Sequence, residues 1–443
     1  MASFFQYLLL LLFFIAYFSS SAQSSSRPKS SFRPRALVLP VTKNASTLQY
    51  VTQIHQRTPL VPLNLVLDLG GQNLWVDCEK HYTSSTYRPA RCNSTQCSLA
   101  DASTCGECNE PPRPGCHNST CTLDSQEPHT GGFATGDVGQ DVVSVQSTNG
   151  FHPGRNVAVS RFIFSCTPSY ILQGLADGVS GMAGLGRTKI ALPSQFASTF
   201  CFPRKFAICL PSSGSKGVVF FGDSPYVFLP NVNAAQSLTY TPFIFNRSSS
   251  VPMFAKRQFL SEYYIGVKSI KIDQKVVPNI NKILLPADKE GFGGTTISTL
   301  YPYTILKTSI FKAVTKVFIK ASAAWNITRV AGVAPFEVCF SKDNIGSTRL
   351  GPAVPTIELV LVNNVGWPIF GANSMVPVKD DVLCLGVLDG GEFLEKSIMM
   401  GTYQLENNLL QFDLDSSRLG FSSLLFGRKT SCANFNFTSA TAE

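Results

Sequence analysis

The sequence predicts a mostly β protein built from two related lobes. Short runs rich in Val, Ile, Phe and Tyr, bounded by Gly, Pro, Asn and Ser, recur along the chain and are typical of strands and turns. One segment alone has a helical period, and an apolar strand that ends in a turn occurs once in each half. The 443 residues, 44% of them apolar, suffice for two cores of roughly 200 residues each.

The amino terminus has the features of a secretory signal peptide. Residues 8–18, LLLLLFFIAYF, are apolar and uncharged, and small residues at 20–22 suit a cleavage site before Gln23. A membrane span needs about 20 apolar residues, and this run is shorter. We therefore predict a signal peptide over 1–22, no membrane span, and a flexible polar leader over 23–35.

The remainder alternates predicted strands with turns. The clearest strands lie at 63–69, 141–147, 161–166, 217–222, 263–272 and 356–362. The helical period lies at 309–325, where apolar residues recur at steps of three or four. LNLVLDLGG, which starts at Leu63, has a weak echo in GFGGTTISTLYPYTIL, which ends at Leu306. The echo predicts an amino-terminal lobe over 36–237 and a carboxyl-terminal lobe over 238–443.

Thirteen cysteines in a chain with a signal peptide predict disulfides formed in an oxidising compartment. Because the number is odd, one thiol stays free or pairs between chains. Cys105 and Cys108 have the spacing of a zinc ligand pair, but no second pair follows, so we predict no metal site. Six glycosylation sequons agree with secretion: Asn44, Asn93, Asn118, Asn246, Asn326 and Asn436.

The charge of the chain restricts its partners. The formal net charge of +9 serves solubility, or it draws the protein towards acidic surfaces such as an anionic wall polysaccharide or an acidic protein. No basic run carries interleaved aromatic residues, so we expect no nucleic-acid partner.

Several stretches, in the same order and spacing, resemble the plant branch of pepsin-like proteins: LDLGGQNLWVDC, SGMAGLGRTKIALPSQF, KFAICLPSS, YYIGVKSIKIDQKVVP and NNLLQFDLDSSRLGFS. SSTYRPARCNSTQCSLA, STRLGPAVP and CLGVLDGG are similar to the extracellular dermal glycoprotein group. That group contains secreted inhibitors of xyloglucan-specific endoglucanases and is related to the wheat-type xylanase inhibitors. The resemblance implies a bilobal pepsin-like aspartic protease fold, a location in the apoplast and cell wall, and no cofactor.

The same resemblance argues against catalysis. Pepsin-type hydrolysis needs two carboxyl groups that share a proton, each from an Asp-Thr-Gly or Asp-Ser-Gly turn. Here the first turn, 68–70, reads Asp-Leu-Gly, so Asp68 supplies one carboxyl group but Leu69 has no hydroxyl. The second turn, 298–300, reads Ser-Thr-Leu, and the neutral hydroxyl of Ser298 cannot replace an Asp. We therefore predict an incomplete catalytic dyad, with Asp68 and Ser298 as vestiges, and no enzyme activity.

The predicted flap, residues 129–145, contains no Tyr, although the proteases usually place one there, and Phe133 is the nearest aromatic residue. Three functions are then open: an inhibitor of cell-wall-degrading glycoside hydrolases, another secreted binding, storage or stress glycoprotein, and a residual aspartic protease. The resemblance favours the inhibitor.

The resemblance also implies where an inhibitor would contact its target. The family presents loops of the carboxyl-terminal lobe, and two of them are basic here: GSTRLGP with Arg349, and SLLFGRKTSC with Arg428 and Lys429. Arg fits between the paired carboxyl groups of a retaining glycosidase, which lie about 5 Å apart. Because cereal xylanase inhibitors have His in the terminal loop, we expect a microbial or plant family 12 endoglucanase as partner rather than a family 11 xylanase. Each cation is alternatively a solvated surface charge.

Twelve cysteines occupy positions of the family, and Cys201 is extra. The resemblance implies the pairs Cys78–Cys166, Cys209–Cys432 and Cys339–Cys384. It leaves the pairing of the other six open. The pair Cys209–Cys432 would fasten the terminal loop to the core and so reduce the entropy lost on binding.

Overall fold

Strands form most of the regular structure in the computed structural model of this chain. The structure describes residues 32–80, 82–127, 131–244, 261–288 and 292–438. The predicted signal peptide, most of the leader and the Asn246 sequon lie outside these residues. The described residues from Pro34 onward form one compact unit, so the lobe boundary after residue 237 stays a prediction.

The first fourteen strands are β1 (Ala36–Lys43), β2 (Tyr50–Gln56), β3 (Val61–Asp68), β4 (Leu74–Asp77), β5 (Arg88–Pro89), β6 (Thr104–Gly106), β7 (Thr120–Glu127), β8 (Gly132–Thr148), β9 (Pro153–Thr167), β10 (Gly181–Gly184), β11 (Lys205–Cys209), β12 (Gly217–Gly222), β13 (Val227–Phe228) and β14 (Val232–Asn233). The helices among them are α1 (Thr95–Ala100) and α2 (Leu192–Phe200).

The later strands are β15 (Thr239–Pro242), β16 (Tyr264–Ile265), β17 (Val267–Ile272), β18 (Lys275–Val276), β19 (Thr295–Ile297), β20 (Thr304–Leu306), β21 (Arg329–Val330), β22 (Cys339–Ser341), β23 (Ser347–Thr348), β24 (Gly351–Pro352), β25 (Ile357–Leu361), β26 (Gly366–Ile369), β27 (Met375–Lys379), β28 (Val382–Leu385), β29 (Val387–Asp389), β30 (Ile398–Met400), β31 (Leu409–Asp413) and β32 (Arg418–Phe421). The helices here are α3 (Thr308–Ala324), α4 (Gly371–Ser374) and α5 (Thr402–Leu405).

One large sheet runs through both halves of the chain. Its order is β15-β32-β31-β11-β12-β1-β2-β3-β10-β4-β9-β8-β7-β6, with β5 on β8. The halves join where β11 pairs with β31, and there the rings of Phe206 and Phe412 stack with centroids 4.6 Å apart. Tyr263 packs on both rings and donates its hydroxyl to the Leu185 carbonyl at 2.7 Å. Such aromatic pairs contribute about 0.5–1.5 kcal/mol beyond their buried area, so they stabilise the join.

The described residues of the carboxyl-terminal half add four smaller sheets, with orders β16-β19-β30-β20-β29, β18-β17-β25-β26, β21-β22-β28-β27 and β23-β24. Helix α3, which matches the predicted helical period, packs against β17 and β29. Its buried residues are Thr308, Ile310, Phe311, Val314, Thr315, Phe318 and Ser322. Among the described residues, no helix combines the length and apolar character that crossing a membrane requires.

Candidate functional site

The first candidate site is the pocket between the turns 68–70 and 298–300. Strand β3 ends at Asp68, and β19 ends directly before Ser298, so each strand delivers one turn. Both side chains line one pocket of about 100 Å³. Its other walls include Asn73, Trp75, Glu262, Tyr301, Lys396 and Met399.

Thr299 connects the two turns. Its hydroxyl accepts a hydrogen bond from the backbone N–H of Leu69 at 2.9 Å and donates one to the Leu67 carbonyl at 2.7 Å. Thr299 and Leu69 are both buried. The matching bonds in the opposite direction would need a hydroxyl at position 69, which Leu69 lacks. The hydrogen bonds from the hydroxyl at position 299 to the first turn are therefore present, whereas the equivalent bonds from position 69 to the second turn are not.

The carboxyl group of Asp68 is held by the backbone of its own turn. The N–H of Gly70 donates to Oδ1 at 3.0 Å, and Gly71 lies so close that a Cβ there would be 2.8 Å from Oδ2. Burial raises the pKa of Asp68 from 3.8 to about 7; the Gly70 hydrogen bond opposes this rise, and the charge of Glu262 adds to it. Near neutral pH this carboxyl group is thus protonated in a large fraction of molecules.

The facing wall gives Asp68 no carboxyl partner of the protease kind. The Ser298 hydroxyl accepts the N–H of Leu300 at 3.1 Å and so serves its own turn. The carboxylate of Glu262 forms an ion pair with Lys396, and the charge of Lys396 opposes the effect of Glu262 on the pKa of Asp68. The pocket is therefore lined by the carboxyl group of Asp68 with the neutral Ser298 hydroxyl, by the Glu262–Lys396 ion pair, and by the carboxyl group of Asp124 on β7.

The β7–β8 hairpin lies along the pocket, where residues 124–126 form part of the lining. Its tip, residues 128–130, lies outside the described residues. Neither described strand of the hairpin carries a tyrosine. Phe133 is 49% exposed, and its carbonyl accepts the hydroxyl of Tyr170 at 3.0 Å. The hairpin strands thus bring no phenolic hydroxyl of their own to the pocket.

The second candidate site is formed by the basic loops of the carboxyl-terminal half. Arg349 lies at the exposed turn of the β23–β24 hairpin and forms no hydrogen bond or ion pair with any described residue. The backbone beneath it is fixed, because Ala372 donates to the Leu350 carbonyl at 2.9 Å and Ala353 donates to the Gly346 carbonyl at 2.8 Å. A free cation on a fixed turn suits a contact with another protein.

Arg428 and Lys429 share one turn but differ in their contacts. Nη1 of Arg428 donates to the Ser237 hydroxyl at 2.8 Å and to the Asn233 carbonyl at 3.3 Å. Lys429 is exposed and has a left-handed backbone, with φ of 60°. Arg428 is therefore partly engaged within the chain, whereas Lys429 projects into solvent.

The two basic loops adjoin each other. A Cβ built on Gly427 would lie 3.6 Å from Cδ2 of Leu350, so the terminal turn contacts the hairpin that carries Arg349. The disulfide Cys209–Cys432, with a Cα–Cα distance of 5.1 Å, ties the terminal loop to β11. These cations therefore occupy one region of the surface, which we call the basic loop pair: residues 346–353 and 425–430.

The structure also joins Cys78 to Cys166 and Cys339 to Cys384, as the resemblance implies. The remaining pairs are Cys92–Cys105, Cys97–Cys121 and Cys108–Cys116. Cys201 is exposed and free. Cys105 and Cys108 thus belong to two different disulfides.

Five of the six sequon asparagines fall in described segments. Asn93, Asn118 and Asn326 are exposed, and Asn44 and Asn436 are half-buried. Their use as glycosylation sites stays a prediction.

Sequence reasoning missed three features of these sites. Thr299 keeps the hydroxyl that the middle residue of a protease turn has, which is a usable signal. Glu262 and Lys396 are 134 positions apart, and the bond from Arg428 to Ser237 spans 191 positions. Such distant polar pairs leave no local pattern in the sequence.

Two family models cover most of the described chain. The model described as xylanase inhibitor N-terminal matches residues 50–223, and xylanase inhibitor C-terminal matches 262–423. A Nicotiana benthamiana protein named "Probable aspartic proteinase GIP2" is 60% identical over 425 residues, 95% of each chain. "Gamma conglutin 1" of Prunus dulcis is 45% identical over 448 residues, 100% of this chain and 99% of the relative.

Comparison with solved structures supports the same family. The crystal structure of edgp matches with a TM-score of 0.89 and 59% identity, over 92% of this chain and 100% of that one. Conglutin gamma from lupine seeds matches at 0.79 with 37% identity, over 92% and 100%. An aspartic proteinase from Irpex lacteus matches at 0.57 with 15% identity, over 89% and 99%, which shows the fold alone. The predicted mostly β, pepsin-like fold is thus confirmed, and the chain belongs to the xylanase-inhibitor family of plant pepsin-like proteins.

Proposed function

We propose that this protein is a secreted inhibitor of a cell-wall-degrading glycoside hydrolase, and that its target is a microbial or plant family 12 endoglucanase. The observation that carries the proposal is Arg349, an exposed cation that pairs with no described residue and lies on a hairpin whose backbone is fixed by hydrogen bonds. The family match supports the same class of partner.

The chemistry of the target explains why an exposed Arg suits this role. A retaining glycosidase holds two carboxyl groups about 5 Å apart in an open cleft. A guanidinium group stays charged and donates several hydrogen bonds in a planar fork, so it can engage both groups. Lys429 and Arg428 lie on the adjoining turn and add positive charge near the rim of such a cleft.

We also propose that the chain has no protease activity. The sequence has Ser298 where a second catalytic Asp is needed, and the Ser298 hydroxyl is engaged within its own turn. Two relatives, from Nicotiana benthamiana and Glycine max, carry the name of a probable aspartic proteinase, so this proposal needs a direct test.

A storage or binding role is the second candidate. Gamma conglutin of Prunus dulcis and basic 7S globulin 2 of Glycine max are 45% and 38% identical to this chain, over 100% and 99% of its length. In that case the basic loop pair would be an ordinary solvated surface. An inhibition assay distinguishes the two roles, because a storage protein leaves the hydrolase active.

The test is an inhibition panel with a family 12 xyloglucanase, a family 11 xylanase and a polygalacturonase. We expect inhibition of the xyloglucanase alone. Arg349→Ala should weaken it by tens- to thousands-fold, because truncating one side of a desolvated charge pair costs about 2–5 kcal/mol. Arg161→Ala, at an exposed position on β9, is the matched control and should have no effect.

Two outcomes would overturn the proposal. If no hydrolase in the panel is inhibited, the storage or binding role replaces it. If Arg349→Ala inhibits as well as the unaltered protein, the contact surface lies elsewhere. Secretion is checked separately: the mature protein should begin at Gln23 and lose mass on enzymatic deglycosylation.

A further inference from the structure

A row of three lysines runs along the exposed face of α3. Lys312, Lys316 and Lys320 are spaced four residues apart, and each is exposed. Residues four apart share one helix face and are separated by about 6 Å along the axis. The three ammonium groups therefore form a linear array roughly 12 Å long. We call these three residues the lysine stripe.

No acidic residue of the helix balances this charge. Between Thr308 and Ala324 the sequence contains neither Asp nor Glu. None of the three ammonium groups forms a hydrogen bond or an ion pair with a described residue, whereas those of Lys43, Lys271 and Lys396 all do. Like charges four residues apart destabilise a helix. The stripe therefore opposes folding slightly, and no contact within the described protein accounts for it.

The opposite face of α3 fixes the stripe in place. Ile310, Phe311, Val314 and Phe318 are buried, and the helix packs on β17 and β29. The backbone positions of the three lysines are thus set by the core rather than by their own interactions. A ligand that binds there meets a helix whose backbone is already ordered, so only the lysine side chains lose conformational freedom on binding.

We propose that the lysine stripe binds a linear acidic polysaccharide with a carboxylate on successive sugars. A linear row of cations matches a linear row of anions. A single small anion or a compact acidic patch would not reach all three ammonium groups. Lysine suits this occupant because its ammonium group is a flexible point charge that donates hydrogen bonds to carboxylates without requiring a fixed geometry. The net charge of +9 adds long-range attraction to such a chain.

The site shares no residue with the basic loop pair, so the proposal stands or falls independently of hydrolase inhibition. Its consequence is retention of the protein on an acidic wall polymer. Because the ammonium groups are exposed, the binding should weaken steeply as salt rises and the charges are screened.

The test measures binding of the full secreted chain to immobilised, de-esterified polygalacturonate at low ionic strength. Lys312→Gln, Lys316→Gln and Lys320→Gln together should weaken binding by about tenfold or more. Gln keeps good helix propensity, and unchanged circular dichroism would verify folding. The matched control removes the same charge elsewhere, with Lys216→Gln, Lys275→Gln and Lys379→Gln at exposed positions. It should retain most of the affinity.

Fully methyl-esterified polygalacturonate should not bind, since it lacks the anions. Equal losses in both triple variants would overturn the proposal, because net charge alone would then explain binding. Binding to phosphatidylserine vesicles without binding to polygalacturonate would also overturn it, since the occupant would be a membrane surface. Absence of binding to either ligand would do the same.

Discussion

Nζ of Lys43 lies 2.6 Å from Oε1 of Glu406, and this ion pair joins β1 to the segment before β31. The Glu406 side chain is 2% exposed, and its Oε1 also accepts the hydroxyl of Tyr50 at 2.9 Å. Burial raises the pKa of Glu406, and the charge and hydrogen bond of Lys43 oppose that rise. The carboxylate therefore depends on Lys43 to remain charged inside the protein.

Lys43→Met should destabilise the protein strongly, because it leaves a buried carboxylate without its cation. We expect the free energy of unfolding at pH 7 to fall by about 3–5 kcal/mol, as measured by urea unfolding. Adding Glu406→Gln should recover part of that loss. Lys205→Met breaks the more exposed pair with Asp223 and should cost less than about 1 kcal/mol. Equal losses at the two sites would contradict this account.

Asp68 should make the folded state less stable as the pH rises from 4 to 7. Its pKa in the folded protein is raised from 3.8 to about 7, so in this range the unfolded state releases the proton and the folded state keeps it. Above pH 7 the resulting loss in unfolding free energy stays below about 4 kcal/mol, because Asp68 is partly exposed and solvent screens its charge.

Asp68→Asn removes this titration. The difference in unfolding free energy between Asp68→Asn and the unaltered protein should therefore grow in favour of the variant between pH 4 and pH 7, and then level off. Urea unfolding at several pH values measures it. A difference that is constant with pH would show that the carboxyl group titrates alike in both states.

Thr299→Val should weaken the connection between the two turns. Val keeps the shape of Thr but removes both hydrogen bonds, which leaves the buried Leu69 N–H without an acceptor. We expect a loss of about 1–3 kcal/mol in the free energy of unfolding. Thr299→Ser keeps the hydroxyl and is the matched control. Thr299→Ser should therefore lose less stability than Thr299→Val, and a Thr299→Val variant as stable as the unaltered protein would contradict this account.

Much of the fold and of the candidate site follows from local features of the sequence. The strand pattern, the helix at 309–325 and the two turns are local features, and the structure reproduces them because local propensity and burial agree there. The basic loops were implied by the family resemblance, and Gly and Pro bound the loop that carries Arg349. The contact of Arg428 with Ser237 was not, because it depends on how two segments far apart in the chain meet.

Restoring a second carboxyl group should not create a protease. In Ser298→Asp, Leu69 and Leu300 still replace the hydroxyl and glycine of the protease turns, and no tyrosine appears on the described hairpin strands. Residues that act as one catalytic unit fail together when any of them is missing. We expect neither the unaltered chain nor Ser298→Asp to cleave denatured protein at acid pH. Cleavage blocked by a transition-state peptide would disprove the assignment.

Arg428 should affect both stability and inhibition, whereas Lys429 should affect inhibition alone. The guanidinium of Arg428 bonds to Ser237 and Asn233, so Arg428→Ala loses contacts to the protein itself, which we expect to cost about 1–2 kcal/mol of unfolding free energy. Lys429 is exposed and bonds to no described side chain, so Lys429→Ala should stay within about 0.5 kcal/mol.

Ser237→Ala separates the two roles of Arg428. It removes the 2.8 Å bond that orients the guanidinium but leaves the charge on the basic loop pair. If orientation matters for inhibition, Ser237→Ala should raise the inhibition constant for the family 12 enzyme to a value between those of the unaltered protein and Arg428→Ala. If the charge alone matters, Ser237→Ala should inhibit like the unaltered protein while Arg428→Ala does not. If both Arg428→Ala and Lys429→Ala inhibit fully, the terminal loop does not contribute to the contact and Arg349 acts without it.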